Sequence, residues 1–294
     1  GIVPQPDFRA ANITQVSVIG VEPMPEDPED MVDNVLYIRS GYIERQYTGN
    51  ARIDLTEDIA KAPDFYLRNA QGQPISLSLD NLDNLNVHFQ DKDVAYDNGE
   101  VVDKPLVTRI GSFSHNHVQL SPIQISRLQD LLFIGRITPW ELRQEDISFV
   151  GPRRIHQMYN GGADWLVPEE PDPDHAGESI KFFPEIGIEI LETEEIIPIR
   201  FGENYEIRFA DRHAGRGKQV SIAGFYLDSR NVSLHSDLKA WMSVNLLTGD
   251  ISPLPIRWTQ GQVHSREYDG TEAAKISLMP SLPILAIDKA GVNI

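Results

Sequence analysis

The 294-residue chain contains no cysteine. That excludes disulfides, thiolate metal sites and cysteine nucleophiles, so stability must come from burial and hydrogen bonding. No apolar run is long enough to cross a bilayer as a helix. The N-terminal stretch lacks the charged-then-apolar pattern of a secretory leader. Basic residues are scarce: 26 Lys and Arg stand against 44 Asp and Glu, for a net charge of −18. A chain of that charge is not expected to wrap nucleic acid as a whole. Nucleophile elbows, zincin helices, Rossmann glycine loops, P-loops and kinase signatures are all missing, so none of these catalytic classes is indicated. No repeat of solenoid length is visible.

What is present reads as globular and β-rich. Hydrophobic residues make up 40% and charged residues 24% of the chain, the balance of a packed soluble fold. The length suits one large domain or two of ordinary size. Ile186, Ile188 and Ile190 alternate with Gly187 and Glu189, and Tyr205, Ile207 and Phe209 alternate with Glu206 and Arg208. Period-two alternation is the mark of a half-buried strand. Val35 to Leu55 reads as a long hairpin turning at Thr48-Gly49-Asn50. Trp241 to Leu246 and Ile251 to Trp258, around Thr248-Gly249-Asp250, read as another.

The clearest helix lies between. Ser121-Pro122-Ile123-Gln124 has the cap, proline and Gln of a capping box, and Gly135 suits a stop. Ile123, Leu128, Leu131, Leu132 and Ile134 fall mainly on one side. Thr138-Pro139-Trp140-Glu141 repeats the start signal. Pro168 to Gly177 is acidic, Pro-rich and reads as a linker. The expected fold is therefore mainly β, with two jelly-roll-like or sandwich β domains joined by a short helical connector. The expected boundaries are 1–120, 121–167 and 168–294.

Few residues suggest chemistry. His115 and His117 would share a face if they lay on one strand, and are the candidates for a metal; the expectation is that they hold none, since no third ligand follows at short spacing. Arg212, His213, Arg216 and Lys218 surround a Gly-rich turn. They are candidates for holding an anion or for contacting another subunit. Asp91-Lys92-Asp93 with Asp97-Asn98-Gly99, and Asp172-Pro173-Asp174 with Glu169 and Glu170, carry carboxylates without the calcium-loop order, and read as ordinary turns. Trp140, Trp165, Trp241 and Trp258 show no sugar-platform spacing. Asn12-Ile13-Thr14 and Asn231-Val232-Ser233 are sequons. Gly1 to Asn12 and Ile276 to Ile294 carry prolines without a clear period and read as extended tails that order on a neighbour.

The reading that follows is a non-catalytic structural protein with no cofactor. Its partners are copies of itself and other structural subunits, without strong nucleic-acid binding and without a transmembrane segment. A viral or phage capsid protein located in the virion is the concrete case, reached by fold-level analogy. A carbohydrate-binding or carbohydrate-active β protein is the alternative, resting on the tryptophans and acidic loops. A metal enzyme centred on His115 and His117 is a further rival.

Overall fold

The computed structural model describes residues 15–255 and the short antiparallel strands Gln262–Val263 and Ile276–Leu278. The expected arm Gly1 to Asn12, Trp258 and the tail beyond Leu278 lie outside the described residues. The fold is mainly β, with 47% of the described residues in strands and 12% in helix. Two compact units are separable: Gly1–Trp140 with Arg230–Ser233, and Glu141–Ser229 with Leu234–Ile294. No helix among the described residues is long and apolar enough to cross a membrane.

The first unit is built on β1 (Gly20–Pro23), β2 (Val35–Arg39), β3 (Gly41–Gln46), β4 (Ile59–Lys61), β5 (Asp64–Arg68), β6 (Pro74–Ile75), β7 (Asn86–Phe89) and β8 (Leu106–Arg109). Helix α1 (Pro122–Leu132) and β9 (Phe133–Thr138) follow, with short two-residue strand pairs between them and the earlier strands. Val35, Leu36, Tyr37 and Ile38 are all buried. A run apolar on both faces suits a central strand, and β2 sits between parallel β1 and antiparallel β5. The expected Val35–Leu55 hairpin does not form. Beyond Ser40 the chain enters a second sheet, where β3 lies between parallel β9 and antiparallel β4.

Helix α1 begins as its sequence dictates. Ser121 accepts from the Gln124 amide, and Gln124 Oε1 accepts from the Ser121 amide. Leu128 and Leu132 are fully buried, whereas Ile123 is 83% exposed. Gly135 does not stop the helix. It lies inside β9 opposite Ile43, where a Cβ would come within 3.2 Å of the Phe89 ring. The second helix start at Thr138 is also overturned. Phe133 to Thr138 alternate buried and outward, and Trp140–Leu142 is again a strand with Glu141 out and Leu142 buried. Period two outweighed the local cap signal, so beyond α1 the stretch expected as a helical connector runs as short strands and loops.

The second unit is dominated by one sheet. Its strands are β10 (Ile147–Val150), β11 (Arg154–Met158), β14 (Gly187–Ile190), β15 (Glu195–Phe209), β16 (Gly215–Leu227) and β17 (Leu247–Ser252), with the ribbon β12 (Glu169–Pro171) and β13 (Ser179–Lys181) beside it. The order is β10-β14-β15-β16-β17-β11, antiparallel except for the β17–β11 pair. Trp241 to Leu246 is not a strand: Ser236–Asn245 forms α2, which runs along β16. Leu238, Met242 and Leu246 bury at four-residue spacing, a helical stripe. Trp241 stacks on Phe149 at 5.7 Å.

The β15–β16 ladder contains a large irregularity. Phe201 pairs with Phe225 and Glu206 with Ala223, so Gly202 to Tyr205 oppose the single Gly224. Gly224 has φ +70, and a Cβ there would sit 2.5 Å from the Asn204 carbonyl oxygen. Gly217 in the same strand has φ +63 but open space around it. Gly224→Ala therefore meets both backbone strain of about 1–2 kcal/mol and a backbone clash. Gly217→Ala meets only the strain. Thermal melts should show a clear loss for Gly224→Ala and a smaller one for Gly217→Ala; equal losses would refute the clash.

Candidate functional site

The segment expected to be a linker is a two-stranded arm in the second unit. Glu169 pairs with Lys181, Glu170 with Ile180 and Pro171 with Ser179, and the Phe182 amide donates to the Pro168 carbonyl. Side chains alternate across such a ribbon, which gives it two different faces. Lys181 and Phe183 are the residues of the arm that reach the sheet's aromatic side chains. Phe183 stacks on Phe201 at 5.0 Å and meets Tyr205 edge-on at 4.8 Å. The Lys181 ammonium lies 5.1 Å from the Tyr205 ring centroid. Ile180 and Phe182 alternate with them in sequence and remain 43% and 48% exposed; Leu166, earlier in the arm, is 55% exposed. Tyr205 belongs to the bulged residues of β15, so the irregularity at Gly224 aims it at the arm.

At the arm's tip Asp172, His175 and Glu178 converge. One ligand atom from each lies within 4.8 Å of the others, and His175 Nδ1 is 3.2 Å from Asp172 Oδ2. By sequence spacing Asp172 and Asp174 group with Glu169 and Glu170. Of these, Asp172 alone joins the cluster. His175 and Glu178 come to Asp172 through the hairpin return, which no calcium-loop spacing in the sequence signals.

The other loop with carboxylates is already filled by the chain. Lys104 Nζ donates to Asp91 Oδ1 at 2.5 Å and to the Asp91 carbonyl at 3.1 Å, and also contacts the Asp93 carbonyl. Its side chain is 4% exposed. An ammonium thus sits where a cation would, and nothing local in the sequence announces a lysine thirteen residues away. The neighbouring Asn98-Gly99 is a tight turn with both residues at positive φ, joining Tyr96–Asp97 to Glu100–Val101. The sequon residue Asn231 is committed on both sides of its amide. It donates to Asp93 Oδ1 at 2.8 Å and accepts from the Val94 amide at 2.9 Å.

His115 and His117 do not share a strand. They lie in the turn between Ser112–Phe113 and Val118–Gln119. Their rings are 6.1 Å apart, edge to face, and His115 Nδ1 accepts from the His117 amide. Trp165 is buried and Trp241 is stacked on Phe149, both in packing roles.

The basic tip spans the β15–β16 turn (Arg212, His213) and the start of β16 (Arg216, Lys218), and acids of the same unit meet it. Asp211 Oδ1 accepts from Lys218 Nζ at 2.5 Å and from the His213 amide at 2.8 Å. Asp250 accepts from the Gly217 amide at 2.7 Å and takes both Arg154 donors at 2.8 Å. Arg216 adds its field to Asp250, while Arg212 also has an interaction within the structure. A cleft of ≈470 Å³ lies here, lined by His156, Arg216, Asp250 and Ser252 among others. His156 Nε2 is 3.2 Å from Ser252 Oγ, a distance open to proton transfer. Asp250 stands opposite His156 in the β11–β17 register but has both oxygens engaged elsewhere, so a Ser-His-Asp relay is not assembled.

Hydrogen bonds from Lys104, Lys218 and Arg154 hold Asp91, Asp211 and Asp250 below the ordinary carboxylate range. A carboxyl depressed in the folded state binds more protons when unfolded. Its stabilisation is present above the unfolded value of about 3.9 and fades as pH falls through the folded value. Urea midpoints should therefore hold from pH 7 to about 5 and fall below about 4, with Asp250→Asn shrinking the fall. An unchanged acid limb in that variant would remove Asp250 from the account. The arm makes a separate prediction. Each aromatic pair contributes about 0.5–1.5 kcal/mol, so Phe183→Ala should speed proteolysis within 166–183 while the sheet's far-UV signal is kept. Cleavage at the wild-type rate would show that the arm is held by other contacts.

Comparison with protein-family models, curated proteins and solved structures gives no match to this chain.

Proposed function

We propose that the chain is a non-catalytic structural protein that works by self-assembly, as a subunit of a viral or phage capsid. The observation that supports this is the exposed apolar pair on the arm. Ile180 and Phe182 lie two residues apart and are both exposed, while the anchoring contacts at the base of the arm are made by Phe183 on Phe201 and Tyr205. The exposed pair is thus not required to hold the arm in place. Large exposed apolar patches mark contact sites, and Ile180 and Phe182 would form the centre of one here. A neighbour that covered it would gain about 25 cal/mol for each Å² of apolar area removed from water.

In this reading the partners are copies of the chain and other structural subunits, and the location is the virion. Each unit is a jelly-roll-like or sandwich β domain. The antiparallel succession β14-β15-β16-β17 in the second unit supports that architecture. The basic tip around Arg212, His213, Arg216 and Lys218 serves mainly to balance nearby acids and lies at the edge of subunit contact.

Mass photometry and electron microscopy of the full chain test the reading. Closed high-order particles are expected. The double substitution Ile180→Ser with Phe182→Ser should leave a monomer that melts like the parent chain. A parent chain that stays monomeric as concentration rises, or a double variant that assembles as well as the parent, would reject it.

A further inference from the structure

We infer that the tip of the arm binds one divalent transition-metal ion of borderline softness, Zn²⁺ or Co²⁺, through Asp172, His175 and Glu178. The three side chains are of the types such ions prefer, one imidazole nitrogen and two carboxylates. Tetrahedral bonds of about 2.0–2.2 Å set neighbouring ligand atoms about 3.3–3.6 Å apart. The Asp172–His175 pair already stands at 3.2 Å, and all three ligand atoms fit within 4.8 Å. Rotation of the exposed Glu178 and His175 side chains can close the rest.

The backbone holds the ligands in register. The Asp172 amide donates to the Glu178 carbonyl, and the Glu178 amide donates to the His175 carbonyl. Asp172 Oδ1 accepts from the Asp174 amide, which leaves Oδ2 turned to the imidazole. The surroundings favour a cation. Glu169, Glu170 and Asp174 add negative charge within the same short arm. Lys181, the arm's own base, is turned away onto Tyr205. A divalent ion would offset the mutual repulsion of these carboxylates and lock the hairpin end. An imidazole ligand disfavours Ca²⁺ and Mg²⁺, which take oxygen. Three protein ligands leave a remaining position to water.

This inference does not rest on assembly, because the three ligands belong to one arm of one chain. The test is titration of the full chain with Co²⁺, followed by its d–d absorption, and then with Zn²⁺ by calorimetry. One Co²⁺ per chain is expected, displaced by one Zn²⁺ and not by excess Ca²⁺. His175→Ala should abolish the Co²⁺ band. Glu178→Gln should weaken binding at least about tenfold, the loss typical of even outer-shell partners. Both positions are exposed, so both variants should melt like the metal-free parent. The double variant His115→Ala with His117→Ala should bind as the parent does. Binding that survives His175→Ala, binding lost only in the His115/His117 variant, displacement by Ca²⁺, or no binding below millimolar Co²⁺ would each overturn the site.

Discussion

The second unit depends on a place where a side chain cannot be tolerated. Gly224 lets one residue of β16 face four residues of β15, because its φ is positive and the Asn204 carbonyl occupies the volume a Cβ would need. The extra residues carry Tyr205 out of the regular pleat. There it meets Phe183 and Lys181, and the arm 166–183 is fixed to the sheet. The exposed apolar pair and the Asp-His-Glu tip are then positioned by the same contacts. A backbone irregularity, an aromatic contact and two surface features form one line of dependence.

Charge follows a different rule in this acidic chain. Its bases are largely used internally. Lys104 closes the Asp91–Asp93 loop, Lys218 serves Asp211, and Arg154 grips Asp250 with two parallel bonds. Exposed pairs such as Arg200–Asp228 contribute little, about 0–1 kcal/mol at best. The buried lysine matters differently, because its removal would leave carbonyl acceptors without a donor. The consequence for the surface is an excess of carboxylates, with the arm among the acidic stretches.

Local patterns in the sequence went a long way where packing agreed with them. The β class, the capped start of α1 and the alternation in β14 and β15 were all legible from period and capping chemistry. The failures share a cause. Thr138-Pro139-Trp140-Glu141 carries a helix start, but Leu142 and Ile137 bury only if the chain runs extended. Trp241 to Leu246 has strand-forming residues, yet Leu238, Met242 and Leu246 need a helix to bury together. Pro168 to Gly177 has the composition of a linker, and what holds it in a ribbon lies farther along the chain: its pairing with Ser179–Lys181 and the contacts of Phe183 with Phe201 and Tyr205. For the same reason His175 and Glu178 escaped notice, and the two histidines that stood out, His115 and His117, fell in a turn.

The return of Arg230–Ser233 into the first unit has a bearing on how the chain emerges during synthesis. Asn231 bonds to Asp93 and to the Val94 amide, its carbonyl accepts from the Trp140 amide, and the Arg230 carbonyl accepts from Tyr96. A ribosome delivers those partners only after nearly the whole central sheet of the second unit has been made. The loop around Lys104 must therefore wait with donors and acceptors facing water, and the first unit closes late. Order of translation and order of completion run opposite to each other, so a fragment ending at Trp140 would carry a standing gap where the returning strand belongs.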